Sequence, residues 1–542
     1  MYIQTLCRTT SLLAGLLVLQ QAVLCTPYST PTGTATALVV SAPNTTVNIL
    51  AYGADPSGVN DSAAAVRAVA AALGSTPATL YFPTGTYRFA SHGATAEECV
   101  RLASSISLLG DGPGLTIFTD DVTPAAMAQF GFFWSMGTAG RDDYSFEIDP
   151  GYPVNASGAS YQSATLTMTL PSNTALYTVG QYVYLRGNSL PQPGEYHGEL
   201  NLIASVNPLL GTVTLAWPLS SDFTQDTGLQ LNLVAQNEVV TNIQISGITF
   251  NFHNNALLAA QVLGLKISNN TFNYEGATPG WEVSQFNQLR HVEFNNNTVN
   301  NPLGAALDVE HTSASWDIHD NIFSGYFNAG EGSANFSFHN NTITCTNQQI
   351  CVRFGGTTGN TVTGNQISAT CPSDSCHAVT DVSGTVTSPK TIISNNTILS
   401  QGPRAISAYT PGTLITGNNI TSLDTGIDMG GGVTARNNTV TLTGDLPYGC
   451  VLVEGTTHNA VIEGLTCNGN STLYDRAVWI ADDGPQAGTQ VIIDGVVGNT
   501  LNIGIFVMNG QNDSPLIGTV SFSNTLTPFS GRNTWMQFGG NH

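Results

Sequence analysis

From Glu238 onward a short unit recurs that leaves few folds open: "NIQISGITFNF", "LKISNNTFNY", "HVEFNNNTVNN", "WDIHDNIFSG", "FSFHNNTITC", "TVTGNQISAT", "TIISNNTILS", "LITGNNITSL" and "VTARNNTVTL". Each unit is an alternating strand, an Asn-centred turn and a second strand, returning about every 19 to 31 residues, the mark of a solenoid. A further strand recurs upstream of the Asn turns: "ALDVE", "ICVRF", "AISAY", "GIDM", "CVLVE" and "AVWI". Several strands per repeat with no helical period between them predict an all-β chain, a single-stranded parallel β-helix whose coils stack and whose Asn side chains ladder from coil to coil. The repeated Asn is therefore read as structural.

In such a strand successive side chains alternate between core and outside. In "AALDVEHTSASWDIHDN", Leu307 and Val309 inside put Asp308 and Glu310 outside together, with His311 next to them. The same alignment puts Arg353, Ser407, Tyr409, Asp428, Glu454 and Trp479 on the outer face, along with Cys351. Glu282 and Glu331 flank the Asp308 strand in neighbouring coils. Coils are expected about 4.8 Å apart and alternate residues roughly 6.5–7 Å apart, so Asp308, Glu310 and Glu331 fall in the range of roughly 5–9.5 Å that glycoside hydrolysis uses for its carboxyl pair.

Crowded carboxylates raise one another's pKa, leaving a protonated acid beside an ionised partner at mildly acidic pH. Asp308 and Glu310 are thus the candidate acid/base pair, with Glu331 as the alternate member. Arg353 is placed to hold an acid ionised or to grip a hydroxyl, and His311 to orient a carboxylate. Trp281, Tyr409 and Trp479 offer flat apolar surfaces for pyranose rings, and Glu282 and Asp428 complete the candidate binding residues. No residue set is assigned to a resident metal. Of the trio Asp317, His319 and Asp320, Asp320 occupies the Asn turn position and reads as a turn residue against a metal role for the three, and "ADDG" at 481–484 reads as an acidic loop.

Composition narrows the partners. Only 9% of residues are charged, the formal net charge is −22, and just two basic residues are lysines, Lys266 and Lys390. Nucleic acid needs clustered cations and is excluded as an expected partner. Strongly polyanionic substrates need cations brought to them. The first 25 residues, "MYIQTLCRTTSLLAGLLVLQQAVLC", carry Arg8 and then an apolar run from Leu12 to Leu19, a signal peptide too short for a membrane span. The expected location is extracellular, with no membrane partner. In that oxidising setting the spacings suggest bridges Cys345–Cys351, Cys371–Cys376 and Cys450–Cys467, leaving Cys99. Sequons at Asn44, Asn155, Asn335 and Asn470 fit glycosylation, whereas the "NNT" turns set a structural role against it.

Before the repeats, residues 48–89 read as an Ala-rich helix over Asp61–Leu73, then two strands around the Pro/Gly turn of "TLYFPTGTYRF". The order Tyr-Gly-Ala, Gly-x-x-Asp, Ala-rich helix, Phe-Pro-x-Gly-x-Tyr resembles the N-terminal cap of pectate-lyase-superfamily β-helix proteins. With the coils, the resemblance spans most of the chain and implies a right-handed helix. It also implies carbohydrate chemistry, without choosing among hydrolases, lyases, epimerases and phage tailspikes. The domain reading is a signal peptide at 1–25, a flexible N-terminal segment at 26–46 and a cap with the first coils at 47–139. An inserted β-rich subdomain follows at 140–235, and the main β-helix at 236–542.

Within that superfamily, the Asn-Thr-Asp, Asp-Asp, Gly-His-Gly and Arg-Ile-Lys strings of polygalacturonases are missing here, as is the Asp-Pro-His of mannuronan epimerases. The expectation is a secreted polysaccharide-degrading glycoside hydrolase that needs no cofactor. The alternative is a calcium-dependent polysaccharide lyase, its cation held by Asp308, Glu310 and Glu331. A third reading is a non-catalytic glycan-binding surface protein. The oligomeric state is not readable from the sequence.

Overall fold

The protein is described from a computed structural model. It covers residues 45–538 apart from 92–97, 103–104, 121–130, 136–151, 156–164, 188–197, 221–222, 224–225, 277–283, 372–375, 382–389, 445–447, 455–458, 471–474, 482–490, 509–515, 532–536 and single positions that include His311 and Glu331. The signal peptide and nearly all of the segment to residue 46 lie outside the described residues. Among the described residues no helix is long and apolar enough to cross a membrane.

Three strands make each coil, because a strand, an Asn turn, a second strand and a second corner bring the chain back to a third strand. The first strands form a 16-stranded parallel sheet. Second and third strands stack as two further parallel faces, joined where Thr298–Glu310 and Ile322–Ala329 run through the corner without a break. The result is the parallel β-helix expected from the repeats, right-handed as the cap resemblance implied.

The ladder forms as the repeats imply. From the Asn270 coil to the Asn438 coil the second turn position is a buried Asn whose Nδ2 donates to the Oδ1 of the Asn one coil on: Asn297 to Asn321 at 3.2 Å, Asn321 to Asn341 at 2.9 Å, Asn365 to Asn396 at 2.9 Å and Asn418 to Asn438 at 3.0 Å. Each amide thereby satisfies backbone and neighbour at once where water has no access. Beneath it aromatic rings stack in register, Phe250 on Phe272 at 4.9 Å and Trp316 on Phe336 at 6.0 Å.

The cap helix runs Ala63–Leu73, two residues shorter than expected, because Asp61 stays outside it and accepts the Ala63 amide at 3.0 Å. Ala63, Ala65, Val66 and Val69 bury against the first coils. The inserted segment folds as a closed six-stranded antiparallel barrel from Tyr152–Asn155 to Gln230–Val234. It docks on the coils through a buried ion pair, Glu199 Oε1 to Arg290 Nη1 at 2.8 Å, and through the Tyr184 hydroxyl donating to Thr312 Oγ1 at 2.6 Å. The three disulfides join Cys345–Cys351, Cys371–Cys376 and Cys450–Cys467, and Cys99 is a buried free thiol. Cys351 corrects one expectation: its sulfur lies in the core, bridged to Cys345, instead of on the outer face.

Candidate active site

The third face carries the outward row. Its register runs from Gln285 to Asp308, Asn328, Arg353, Thr380, Ser407, Asp428, Leu452, Trp479 and Phe506, one residue per coil. Alternation about inward Ile and Val thus places Asp308, Arg353, Asp428 and Trp479 on one column as expected. It also separates them: Asp308 and Asp428 are five coils apart, about 24 Å at roughly 4.8 Å per coil.

Around Asp308 the arrangement is a chain of polar contacts. Asn328 Nδ2 donates to Asp308 Oδ1 at 2.7 Å, and Arg353 Nη1 reaches Asn328 Oδ1 at 3.5 Å. Arg353 therefore joins Asp308 through an amide. Glu310 continues the Asp308 strand and pairs with Asn287, while its side chain lies outside the described residues, as do Trp281, Glu282, His311 and Glu331.

The denser cluster lies on the strands Arg404–Ala408, Thr425–Met429 and Val451–Glu454. Arg404 Nη1 meets Asp428 Oδ2 at 2.5 Å, and the Tyr409 hydroxyl donates to the same oxygen at 2.5 Å. That phenol oxygen also lies 3.4 Å from Glu454 Oε2. Because both carboxylates touch one phenol, oxygens of the two lie no more than about 6 Å apart, a bound that admits the roughly 5–5.5 Å spacing of retaining glycosidases. Tyr409 can approach because its coil neighbour is Gly430, where a Cβ would sit 3.0 Å from the ring.

Electrostatics divide the roles. The Asp428 side chain is 0% exposed, and burial, against the pull of Arg404 and the Tyr409 hydrogen bond, pushes its pKa up to about 6, with Glu454 adding to the rise. Burial and the Asp428 carboxylate also hold the Tyr409 phenol well above its ordinary range. Burial works against the charge of Arg404, but Asp428, Tyr409, Glu454 and Tyr448 together outweigh it and raise the guanidinium pKa. One coil earlier, His377 Nδ1 pairs with Ser407 Oγ at 2.6 Å, and burial, then Arg404, lowers its pKa to about 4.

On the other side of the cluster Trp479 stacks on Tyr448 at 5.2 Å, under the Arg476 guanidinium 4.6 Å from the indole centre. Three polar atoms along the row, Thr380 Oγ1, Asp428 Oδ1 and Trp479 Nε1, are enclosed with no partner.

Sequence reasoning missed Arg404, His377 and Tyr448, and gave Glu454 no role. Arg404 and His377 share the parity of inward Ile406 and Val379, but each opens its strand just past a corner, where the side chain escapes the core. An Arg at a strand start, in a chain with so few cations, was the available signal.

Residues 46–127 match the family model described as rhamnogalacturonase A/epimerase, pectate lyase-like, which bears out the resemblance read in the cap. No curated protein matches the chain in sequence. Among solved structures, the tailspike gp61 of Pseudomonas phage phi297 is similar at 15% identity and a TM-score of 0.52, over 84% of this chain and 80% of that one. The tailspike gp49 of Pseudomonas phage LKA1 is 13% identical with a TM-score of 0.49, over 85% of this chain and 82% of the other. The gp54 tailspike of Acinetobacter baumannii bacteriophage AP22, solved with A. baumannii capsular saccharide, is 13% identical with a TM-score of 0.46, over 88% of this chain and 75% of its own. At 15% identity the likeness to the phi297 tailspike speaks for the fold alone.

Proposed function

We propose that this protein is a secreted glycoside hydrolase that degrades a polysaccharide laid along the third face, and that its acid and its base or nucleophile are Asp428 and Glu454. The carrying observation is the single phenol oxygen of Tyr409 in contact with both carboxylates, one of them fully buried with a raised pKa. Asp428 holds a proton at mildly acidic pH. In that protonated state the contact reverses, Asp428 donating to the Tyr409 oxygen and freeing the phenol proton for the glycosidic oxygen; Tyr409 takes the Asp428 proton as it gives up its own, and the C1–O bond breaks with a neutral leaving group. The partly exposed Glu454 carboxylate attacks C1 or takes a proton from the attacking water. Arg404 limits the charge left on Asp428, and the Tyr448–Trp479 stack offers an adjacent sugar platform.

The pair expected from sequence, Asp308 with Glu310, is the competing assignment, with Asn328 and Arg353 as its polar neighbours. A lyase is the second reading, favoured by Arg404 beside Tyr409: a guanidinium for a uronate carboxylate and a phenol for proton transfer. Calcium held by Asp308, Glu310 and Glu331 would serve a separate lyase site on the Asp308 strand, because that strand stands five coils, about 24 Å, from the Arg404–Tyr409 cluster. The polysaccharides to test are a panel of neutral and uronate-containing polymers, with and without chelator, scored for new reducing ends and for the ultraviolet absorbance of unsaturated uronates.

Reducing ends without absorbance support hydrolysis. Absorbance rising with them, and lost with chelator, makes the protein a calcium-dependent lyase. Asp428→Asn and Glu454→Gln are each expected to lower turnover by about 10²–10⁴-fold, the range of a lost general acid or base. Full activity in both, with loss in Asp308→Asn and Glu310→Gln, would return the site to the Asp308 strand.

A further inference from the structure

The "NNT" turns set two roles against each other in the sequence, and the structure divides those roles between the two asparagines. The second Asn of each pair is the buried ladder residue. The first carries the Asn-x-Thr signal, and at Asn340, Asn395 and Asn437 it is exposed with a left-handed φ of 54°, 54° and 51°. No hydrogen bond engages these three carboxamides among the described residues.

Their positions form one line. Asn340 donates its backbone amide to Thr363, Gly364 to Ser394, Asn395 to Thr416, Gly417 to Arg436 and Asn437 to Glu463, so the six turn positions from 340 to 464 stack coil on coil as Asn, Gly, Asn, Gly, Asn, Gly. A Cβ on Gly364, Gly417 or Gly464 would fall 2.8, 2.6 or 2.3 Å from the carboxamide oxygen of the preceding Asn. All six positions have the same left-handed backbone, so backbone conformation does not by itself choose between Asn and Gly. The oxygen of each Asn lies against the next glycine, which leaves Nδ2 facing away from it.

We infer that Asn340, Asn395 and Asn437 are N-glycosylated, forming a row of glycans on the edge between the first and second faces. The acceptors lie about 10 Å apart, two coils at roughly 4.8 Å each. Each modification forms a bond from Asn Nδ2 to C1 of a polyprenyl-diphosphate-linked oligosaccharide. The C1–O bond breaks, the diphosphate leaves with the electron pair, and Nδ2 gives up one proton. The candidate active site stays open, because the Arg404–Ala408 strand lies one further corner away from the Asn395 turn. By contrast Asn269 and Asn296 occupy adjacent coils with no glycine between them, at about 5 Å, so that pair accepts at most one glycan. The inference rests on the secretory reading of residues 1–25.

The test is secretion of the full chain, with its own first 25 residues, from a eukaryotic host. Enzymatic deglycosylation in heavy-oxygen water and peptide mass mapping then mark each formerly glycosylated Asn as Asp. The expected map shows Asn340, Asn395 and Asn437 each modified in most molecules. A secreted protein glycosylated elsewhere but unmodified at any of the three overturns the row alone, while a chain that is neither secreted nor glycosylated overturns the secretory reading with it. Two variants separate the roles: Asn395→Gln removes one glycan and keeps the fold, whereas Asn396→Ala keeps the sequon and its glycan and weakens the ladder.

Discussion

Asp428 has one oxygen engaged twice, by Arg404 and Tyr409, and the other enclosed without a partner. Its raised pKa has two measurable consequences. Between the ordinary aspartate value of 3.8 and about 6 the folded state binds more protons than the unfolded one, so stability attributable to Asp428 falls as pH rises through that window. Urea unfolding of the wild type against Asp428→Asn, from pH 4 to pH 7, is expected to show the wild type losing on the order of 2–3 kcal/mol more than the variant. If Asp428 is the proton source, activity also declines above pH ~6 as that proton is lost. Tyr409→Phe removes the shared phenol oxygen and is expected to reduce kcat by about 10²-fold or more with the melting temperature little changed, as kinetics and calorimetry together would report.

At the scale of the element, the Asn turn is the unit that repeats, and its two asparagines bear different loads. Asn396 donates to Asn418 at 2.9 Å and accepts from Asn365 at 2.9 Å, all three buried. Asn396→Ala strands a donor and an acceptor in the core and is expected to cost about 2–4 kcal/mol in urea unfolding. Asn395→Gly is expected to change stability by less than about 1 kcal/mol, because glycine already serves at the equivalent positions 364, 417 and 464. Equal losses from the two substitutions would contradict the division of labour. The corners act through a second rule. A residue that opens a strand has only just left the corner, so period-2 alternation does not fix its side, and Arg404 and Arg476 both use that freedom to reach outer-face partners.

At the scale of the whole molecule, the barrel is fastened to the coils by Glu199 and Arg290, whose side chains are 1% and 2% exposed. Glu199→Ala leaves a buried guanidinium unpaired and is expected to destabilise by about 3–5 kcal/mol. Hydrogen exchange would show the loss concentrated in the Gly198–Asn207 and Arg290–Asn295 strands, and Glu199→Met with Arg290→Met would recover most of it. The same scale separates what local order determines from what folding adds. The solenoid, the cap helix, the three disulfide pairs and the outer column from Asp308 to Trp479 were legible in the chain, because period-2 alternation, Asn turns and short Cys spacings are local properties that each coil repeats. Which acids meet was not legible. Asp308 and Asp428 share a column yet stand five coils apart, and Asp428 is joined to Glu454 through a tyrosine on another coil and to an arginine whose parity pointed inward. Those contacts depend on the number of residues each corner holds and on how the coils stack. Only the tertiary structure therefore decided which side chains form the site, since their distances are set between coils and not along the chain.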